Sequence, residues 1–314
     1  MAIVTGSGLS GQLGLKAETA WGTAVTVDRF YEVVSENIQM EQERTESSGI
    51  RSGQRVIRSD DWTRGQKKVS GPIEFELSTR NLALLLQHSL GTCTAFAGGS
   101  ATITPADMTG LGLTVQVGRP DVAGTVLPYT FSGGKVASWE MGASVGEIAK
   151  LTLDMVFKDQ TTATALASAS YTSGLGLFAF THGAVTIGGS SVSVRSITLK
   201  GDNALDTERF FVGGSLIAEP LEAGRREFTF DMELDHSGTV VPGRIESGTE
   251  AAMVLTFTSG GSIVALTTNA RFDGAFGNLS GMEILSQPLS GKLVASTTDA
   301  SALTFNITSS EATP

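Results

Sequence analysis

The clearest hydrophobic pattern in the chain is an alternation of apolar and polar residues over residues 31–77. Two segments carry it, YEVVSENIQM and KVSGPIEFEL, and each places its apolar residues on one face of an extended chain. The apolar positions are Val34, Ile38 and Met40 in the first segment and Val69, Ile73, Phe75 and Leu77 in the second. This period is typical of half-buried antiparallel strands. The sequence therefore predicts strands over residues 31–40 and 68–77.

A charged segment, residues 41–68, connects these two strands. Twelve of its 28 residues are charged: Glu41, Glu43, Arg44, Glu46, Arg51, Arg55, Arg58, Asp60, Asp61, Arg64, Lys67 and Lys68. The segment is too long for a tight turn and too polar for a core, and loops of this length are usually functional or disordered. Because both signs are mixed, we interpret it as a contact surface for another copy of the chain. The alternative is a solvated flap.

Further elements follow in order along the chain. Residues 80–91 predict a short helix that Gly91 ends. Residues 113–117 predict a strand, and residues 128–157 predict a β-meander with turns at Gly133-Gly134 and at residues 145–147. Small residues and threonine dominate residues 158–173, which we interpret as a linker.

The order of elements then repeats, which predicts two domains, residues 1–160 and 161–314. Residues 194–203 lie over 33–42, residues 226–234 over 68–77, and residues 282–296 over 139–153. Residues 236–248 take the place of the helix, although Pro242 and Gly243 predict a poor one. The alternative is that two unrelated β-meanders resemble each other.

Composition supports an all-β fold with one or two short helices. The 314 residues include 38 glycines and few aromatic residues, and short alternating runs recur. The net charge of −10 disfavours stable binding to DNA phosphates but allows a polyanion to pass without sticking. A single cysteine, Cys93, excludes an internal disulfide and a cysteine-rich metal site. The sequence predicts no signal peptide and no membrane span, and we expect synthesis in a cytoplasm.

None of the chemical motifs in the sequence favours an enzyme. GSGLSG at residues 6–11 matches a dinucleotide-binding fingerprint, but glycines interrupt the segment where a helix should follow. Ser132 and Lys135 match SxxK, which needs a helix and not a glycine turn. The histidines His88, His182 and His236, the oxygen-rich residues 201–208 and the carboxylate pairs Asp60-Asp61 and Glu74/Glu76 have non-catalytic explanations as packed, turn or surface residues. We therefore expect no catalytic residue, no cofactor and no metal.

The chain resembles the tail tube, or major tail, proteins of bacteriophages with long, non-contractile tails. The resemblance rests on the order and spacing of loose motifs and not on a catalytic signature. Its segments are residues 10–33, 35–56, 65–91, 129–151 and, in the second half, 196–214. The resemblance implies a β-sandwich or barrel flanked by a helix, and the repeated order of elements predicts that this unit is duplicated in tandem.

The same resemblance implies a structural role in the virion. Such proteins form rings that stack into a tube through which double-stranded DNA passes, and the long early loop contacts the neighbouring ring. It implies partners in the tail terminator, tape-measure and tail-tip proteins, and synthesis in the host bacterial cytoplasm. If both halves are tube domains, three chains give a ring with pseudo-sixfold symmetry; otherwise six chains are needed. The alternative function is a non-catalytic β-sandwich binding or adhesion module.

Overall fold

A computed structural model describes residues 7–235, 240–274, 286–297 and 301–311. The N-terminal half consists of strands β1 to β11, helix α1 and a 3-10 turn at Gly8–Ser10. The strands are β1 Gln12–Ala17, β2 Arg29–Tyr31, β3 Val33–Glu36, β4 Gln39–Glu46, β5 Trp62–Glu76, β6 Gly91–Cys93, β7 Ser100–Pro105, β8 Leu113–Pro120, β9 Val126–Ser144, β10 Lys150–Phe157 and β11 Asp159–Thr161, with α1 at Leu82–Leu90.

The C-terminal half consists of strands β12 to β19 and helix α2, after a 3-10 turn at Phe180–His182. The strands are β12 Gly183–Ile187, β13 Ser190–Val192, β14 Val194–Asp202, β15 Glu227–Asp235, β16 Ala251–Ser259, β17 Ser262–Asp273, β18 Ser286–Val294 and β19 Leu303–Thr308, with α2 at Val240–Ser247. The all-β fold with two short helices confirms the fold class predicted from the sequence.

The N-terminal half folds as two packed layers of antiparallel strands. One layer pairs β1 with β2 and β8, β8 with the start of β9, and β9 with β11. The other pairs β5 with β3, β4 and β10, and β10 with the end of β9. Strand β9 passes from one layer to the other at a register shift near Gly133, whose φ is 66°. Glycine is suited to this left-handed conformation.

Alternating side chains of these strands fill one hydrophobic core. Phe75 of β5 lies edge-on to Tyr31 with 5.5 Å between ring centroids, and Phe131 of β9 lies 5.3 Å from Phe157 of β10. Helix α1 is buried along almost its whole length and packs on β6, β7 and β9. Gly91 follows it with φ 121°, and a side chain there would meet the Ala106 carbonyl, so the predicted helix end is confirmed.

The strands of the C-terminal half pair in the same order. Strand β12 pairs with β13 and β16, β16 with β17, and β17 with β18 and β19. Strand β18 pairs with β15, which also pairs with β14. Helix α2 follows β15 as α1 follows β5. Strands β6 and β7 have no counterpart among the described residues, and β7 pairs with β19.

The two halves meet through two pairs of strands, β7 with β19 and β9 with β14. Ser138–Ser144 of β9 pair antiparallel with Ser196–Asp202 of β14, in a ladder of seven residue pairs. A continuous antiparallel sheet therefore runs in the order β3/β4, β5, β10, β9, β14, β15, β18 and β17. It takes four strand positions from each half.

Buried polar side chains reinforce this junction. The Lys135 ammonium, fully inside the protein, donates to Glu219 at 2.7 Å and to the carbonyls of Met108 and Pro220. The Asn203 amide donates to the carbonyls of Ser89 and Val136, both at 2.9 Å. Because buried polar groups need partners, these bonds fix residues 203–226 against the N-terminal half.

Several details differ from the sequence-based expectations. Val34 and Met40 are 46% and 44% exposed, because the predicted first strand breaks into β3 and β4, and only Ile38 of its three apolar residues is buried. Gly133 and Gly134 lie within β9 and form no hairpin turn. Residues 158–173 are not a free linker, because β11 pairs with β9, and the Gln116 amide bonds to the backbone of Ala165 and Ala167.

Two expectations about the second half also need correction. The segment predicted to be a poor helix contains α2, and Pro242 lies in its first turn, where a missing N–H costs little. Strand pairing makes β18 the counterpart of β10, because β18 pairs with the strand before α2 and β10 pairs with the strand before α1. The predicted overlay of residues 282–296 on 139–153 is therefore out of register. Among the described residues, no helix is long and apolar enough to cross a membrane.

His88 of α1 gives the fold a measurable pH dependence. Burial away from water, with Lys135 nearby, lowers the pKa of His88 from 6.5 to about 4. The unfolded chain therefore binds a proton that the folded chain excludes, so stability falls as the pH drops from about 6.5 towards 4, by roughly 3 kcal/mol from this group. We expect His88→Gln to flatten that part of the pH profile in urea denaturation. Parallel profiles for both proteins would contradict this explanation.

Candidate inter-subunit surface

The charged segment predicted to be a long loop is for the most part a projecting β-hairpin. Strand β4 continues to Glu46 and pairs with β5 as far as Trp62, and the Ser47 amide donates to the Asp61 carbonyl at 2.7 Å. Only residues 47–61 lie outside the strands. Strand β5 pairs with β10 from Val69 onwards, so its first residues extend beyond the sheet together with β4. The hairpin thus presents two exposed strands and an irregular tip.

The predicted contact residues are distributed over all three parts of this hairpin. Glu41, Glu43, Arg44 and Glu46 lie on β4; Arg51, Arg55, Arg58, Asp60 and Asp61 lie in the tip; Arg64, Lys67 and Lys68 lie on β5. Every residue of β4 is exposed. The sequence therefore identified a surface that the fold holds away from its core, and its contact with another copy remains a prediction.

Some of these charges are already used inside the chain. Arg58 pairs with Asp60 at 2.7 Å, and its backbone amide donates to Asp61 at 3.1 Å. Lys67 pairs with Asp159, and Lys68 with Glu208. These two lysines attach the base of the hairpin to the rest of the fold.

Other charges of the hairpin have no ion-pair partner in the described part of the chain. They are Glu41, Glu43, Glu46, Arg44, Arg51, Arg55 and Arg64. Arg44 lies over the Trp62 ring at 5.3 Å. An exposed set of both signs can pair with a complementary surface and can set the register of contact.

Sequence reasoning missed the apolar residues of the tip. Ile50, Val56 and Ile57 are 102%, 73% and 58% exposed. Three aliphatic side chains in a short polar loop are visible in the sequence and indicate an interaction surface, because exposed apolar patches mark such surfaces. Their exposure favours an interaction surface over the solvated-flap alternative.

The connection between β14 and β15, residues 203–226, leaves the sheet at the same end as the hairpin. Strands β5 and β15 run in the same direction, because four successive antiparallel pairings, β5–β10, β10–β9, β9–β14 and β14–β15, separate them. Phe211 and Val212 in this connection are 62% and 109% exposed. One end of the sheet therefore carries both exposed apolar loops.

One face of the continuous sheet is polar and acidic. Its outward residues are cross-strand neighbours, as in the Lys150–Glu76, Thr152–Glu140 and Thr198–Asp231 pairs. The acidic members are Glu74, Glu76, Glu140, Asp154, Asp202, Glu227, Asp231, Glu233, Asp235 and Asp273, and the basic members are Lys150, Arg195, Lys200, Arg271 and Lys292. Carboxylates outnumber cations, so the face repels polyanions.

Some of these carboxylates are locally neutralised. Glu74 accepts from Lys150 at 2.7 Å, and that hydrogen bond lowers the pKa of Glu74. Glu140 lies 3.6 Å from Lys200. Strand β15 contributes Asp231 and Glu233 to the face, and neither has an ion-pair partner in the part of the chain that the structure describes. The excess negative charge is therefore greatest around β15.

The oxygen-rich residues 201–208 form turns. The Asp202 carboxylate accepts from the Ala204 amide at 2.7 Å, and the Asp206 carboxylate accepts from the Glu208 amide at 3.1 Å. These bonds are typical of aspartate in turns. In the described ranges, no group of three or more histidine, cysteine or acidic residues has the geometry to hold a metal ion.

Comparison with known families agrees with this geometry. The family model of phage tail tube proteins matches residues 8–308. The chain belongs to the phage tail tube protein family. This match covers both halves of the fold, the hairpin and the acidic face, and it describes a structural family. A search of curated proteins found no match.

The acidic face of this tail tube protein leads to a test with DNA. We expect Glu140→Lys, Asp231→Lys and Glu233→Lys together to create a basic stripe that retards duplex DNA in a low-salt mobility assay. Binding should weaken steeply with added salt, because counterions are released from the phosphates. The unmodified chain should not retard DNA under the same conditions.

A matched control carries the same number of charge reversals in the hairpin, as Glu41→Lys, Glu43→Lys and Glu46→Lys. If the unmodified chain binds DNA as strongly as the sheet variant, the assigned role of the acidic face is wrong.

Proposed function

We propose that this chain is the ring-forming subunit of the tube in a long, non-contractile phage tail. Family membership supports the tail tube role. The observation that carries the finer proposal is the repeated order of strand pairing in the two halves. Seven pairings of the N-terminal half have counterparts in the C-terminal half. They are β1–β2, β1–β8, β8–β9, β9–β10, β9–β11, β10–β5 and β5–β3.

We interpret the halves as repeats of one tube domain, within residues 1–160 and 161–314. Each repeat supplies four strand positions to the continuous sheet, and the β9–β14 ladder joins the repeats. The counterparts of β9 and β14 are β17 and β3/β4, and they are the outer edges of this sheet. Unpaired edges favour pairing with another chain. The same junction repeated between chains closes a ring.

The open edges have a geometry that suits this junction. Strand β16 covers β17 only up to Ala270, so Arg271–Asp273 keep a free edge on that side among the described residues. In the described ranges, β3 and β4 pair with β5 alone. Inside the chain, the equivalent edge of β9 pairs with β14, and this supports the same pairing between chains.

Two surface grooves at corresponding positions support the same arrangement. Within the chain, Ala143–Val145 of the N-terminal half lie in a groove beside β12, β13 and β14. The corresponding groove beside β1, β2 and β3 is lined by Leu13, Val34 and Val117, has a volume of about 650 Å³ and is open. In a ring, it would receive the end of β17 from the next chain.

A ring of three chains with pseudo-sixfold symmetry follows from this proposal. Three chains supply six tube domains, and each domain contacts its neighbours through the same kind of ladder. Six chains per ring remain the alternative, with one half outside the sheet. Three is favoured because both halves belong to one continuous sheet.

The acidic face of the sheet is then the lumen surface. It is the polar side of a sheet whose other side packs against the helix and the second layer. Like charge keeps DNA from binding while it passes to the host during ejection. The hairpin stacks one ring on the next. Tail terminator, tape-measure and tail-tip proteins complete the tail, and the protein is made in the host bacterial cytoplasm.

Electron microscopy of the purified protein tests this function. We expect tubes or stacked rings with a central hole, with or without a tail-tip complex as initiator. A monomer that stays monomeric in the presence of that initiator would contradict the proposal.

The stacking role of the hairpin can be tested separately. Replacing residues 48–60 by Asn-Gly keeps the Ser47–Asp61 hydrogen bond and closes the hairpin with a favoured two-residue turn. We expect this variant to fold and to keep the ring mass in light scattering, but to form no tubes. Tubes of normal length would show that the tip is dispensable.

A further inference from the structure

Two unpartnered apolar features lie at opposite ends of β5. The first is the tip cluster, formed by Ile50, Val56 and Ile57. The second is the end cavity, lined by Tyr31, Phe75, Leu82, Leu85, Leu151 and Leu177. We propose that the tip cluster of one chain inserts into the end cavity of a chain in the adjoining ring. This proposal rests on the proposed function and adds the receptor site for the hairpin.

The end cavity has the size and lining for an aliphatic side chain. Its volume is about 140 Å³. Apolar cavities of roughly 150 Å³ bind a molecule as large as benzene, so an isoleucine side chain fits such a space. Five leucines and three aromatic residues form most of the wall, and one of these leucines, Leu175, is partly exposed. Filling the cavity removes apolar surface of both partners from water.

Strand β5 fixes the relative position of the two features. It begins at Trp62 below the tip and ends at Glu76 beside the cavity. Its 15 residues, at about 3.3 Å each, separate the two ends by roughly 45 Å. A knob at one end and a hole at the other form a head-to-tail contact, which produces an open filament and not a closed pair.

Charge complementarity favours the same pairing. Arg51 and Arg55 lie beside the tip cluster, whereas the Arg58 guanidinium donates to Asp60 and the Arg58 backbone amide donates to Asp61. Glu32 and Glu76 lie at the cavity. Neither these two arginines nor these two glutamates form an ion pair within the described residues. The two arginines on the knob can therefore pair across the contact with Glu32 and with Glu76, which lies where the outward acidic face meets the cavity.

A charge-swap series tests the contact. Arg51→Glu with Arg55→Glu, and separately Glu32→Arg with Glu76→Arg, set like charges against each other. We expect each pair to lower the amount of sedimentable tube at least tenfold. The arginine pair should leave the ring mass unchanged. Glu32 also lines the groove proposed for β17, so the ring mass of the glutamate variant is measured before its tubes are counted. All four changes in one chain restore opposite charges, and tube formation should recover. Equal loss without recovery, or no loss in either pair, would overturn the proposal.

A disulfide cross-link tests the position directly. In a Cys93→Ser background, a chain with Ile57→Cys is mixed with a chain carrying Leu175→Cys, so any bond must join two molecules. We expect a cross-linked dimer after oxidation of tubes, and none with dispersed rings. Val122→Cys, at an 88% exposed residue in the turn between β8 and β9, replaces Leu175→Cys as the matched control. A cross-link only with the control would overturn the assignment.

Different results would contradict the proposed function and the receptor site. If the unmodified chain forms neither rings nor tubes, the proposed function fails. If it forms tubes, but the charge swaps and the Leu175→Cys cross-link have no effect, the tube role stands and only the receptor site is wrong.

Discussion

The backbone pairing of β9 with β14 is the constraint on which the rest of the structure depends. A four-stranded unit with two open edges exposes unpaired N–H and C=O groups. Within this chain, one such edge finds its partner in the second half, along Ser138–Ser144 and Ser196–Asp202. Among the described residues, the two outer edges of the longer sheet are still open. We propose that assembly repeats this pairing, with the same hydrogen-bond pattern between chains as within one.

The buried polar contacts explain why this junction is held in one geometry. Backbone ladders alone tolerate slippage in register when neither strand is anchored. Lys135 of β9 binds Glu219, and Asn203 at the end of β14 binds carbonyls of α1 and β9. Each of these bonds crosses between the halves at the point where the strands meet. They hold β9 and β14 in one register between the two halves.

Sequence patterns identified the elements whose side chains alternate strictly or lie at helical spacing. Ile73, Phe75 and Leu77 alternate in the sequence and are buried in the fold, and Gly91 ends α1 where its φ requires glycine. The break between β3 and β4 escaped prediction, because Val34 and Met40 fit the alternation but lie on an exposed edge. Alternation states which residues share a face, and not whether another layer covers that face.

The candidate site was predictable in part for related reasons. The charged residues of the hairpin were visible as a cluster, but strand pairing between β4 and β5 depends on contacts that charge does not reveal. The end cavity was not visible at all, since its walls come from β2, β5, α1, β10 and residues 175–177. The acidic face likewise collects Glu140, Asp231 and Asp273 from distant strands, and only the sheet order brings them together.

A reconstruction of assembled tubes by cryo-electron microscopy would locate every strand edge in the ring. We expect rings of three chains, in which β17 of each chain pairs with β3 and β4 of the next in the way that β9 pairs with β14. The acidic face should line the lumen. Rings of six chains, or rings closed through other surfaces with β3 and β4 unpaired, would contradict this arrangement.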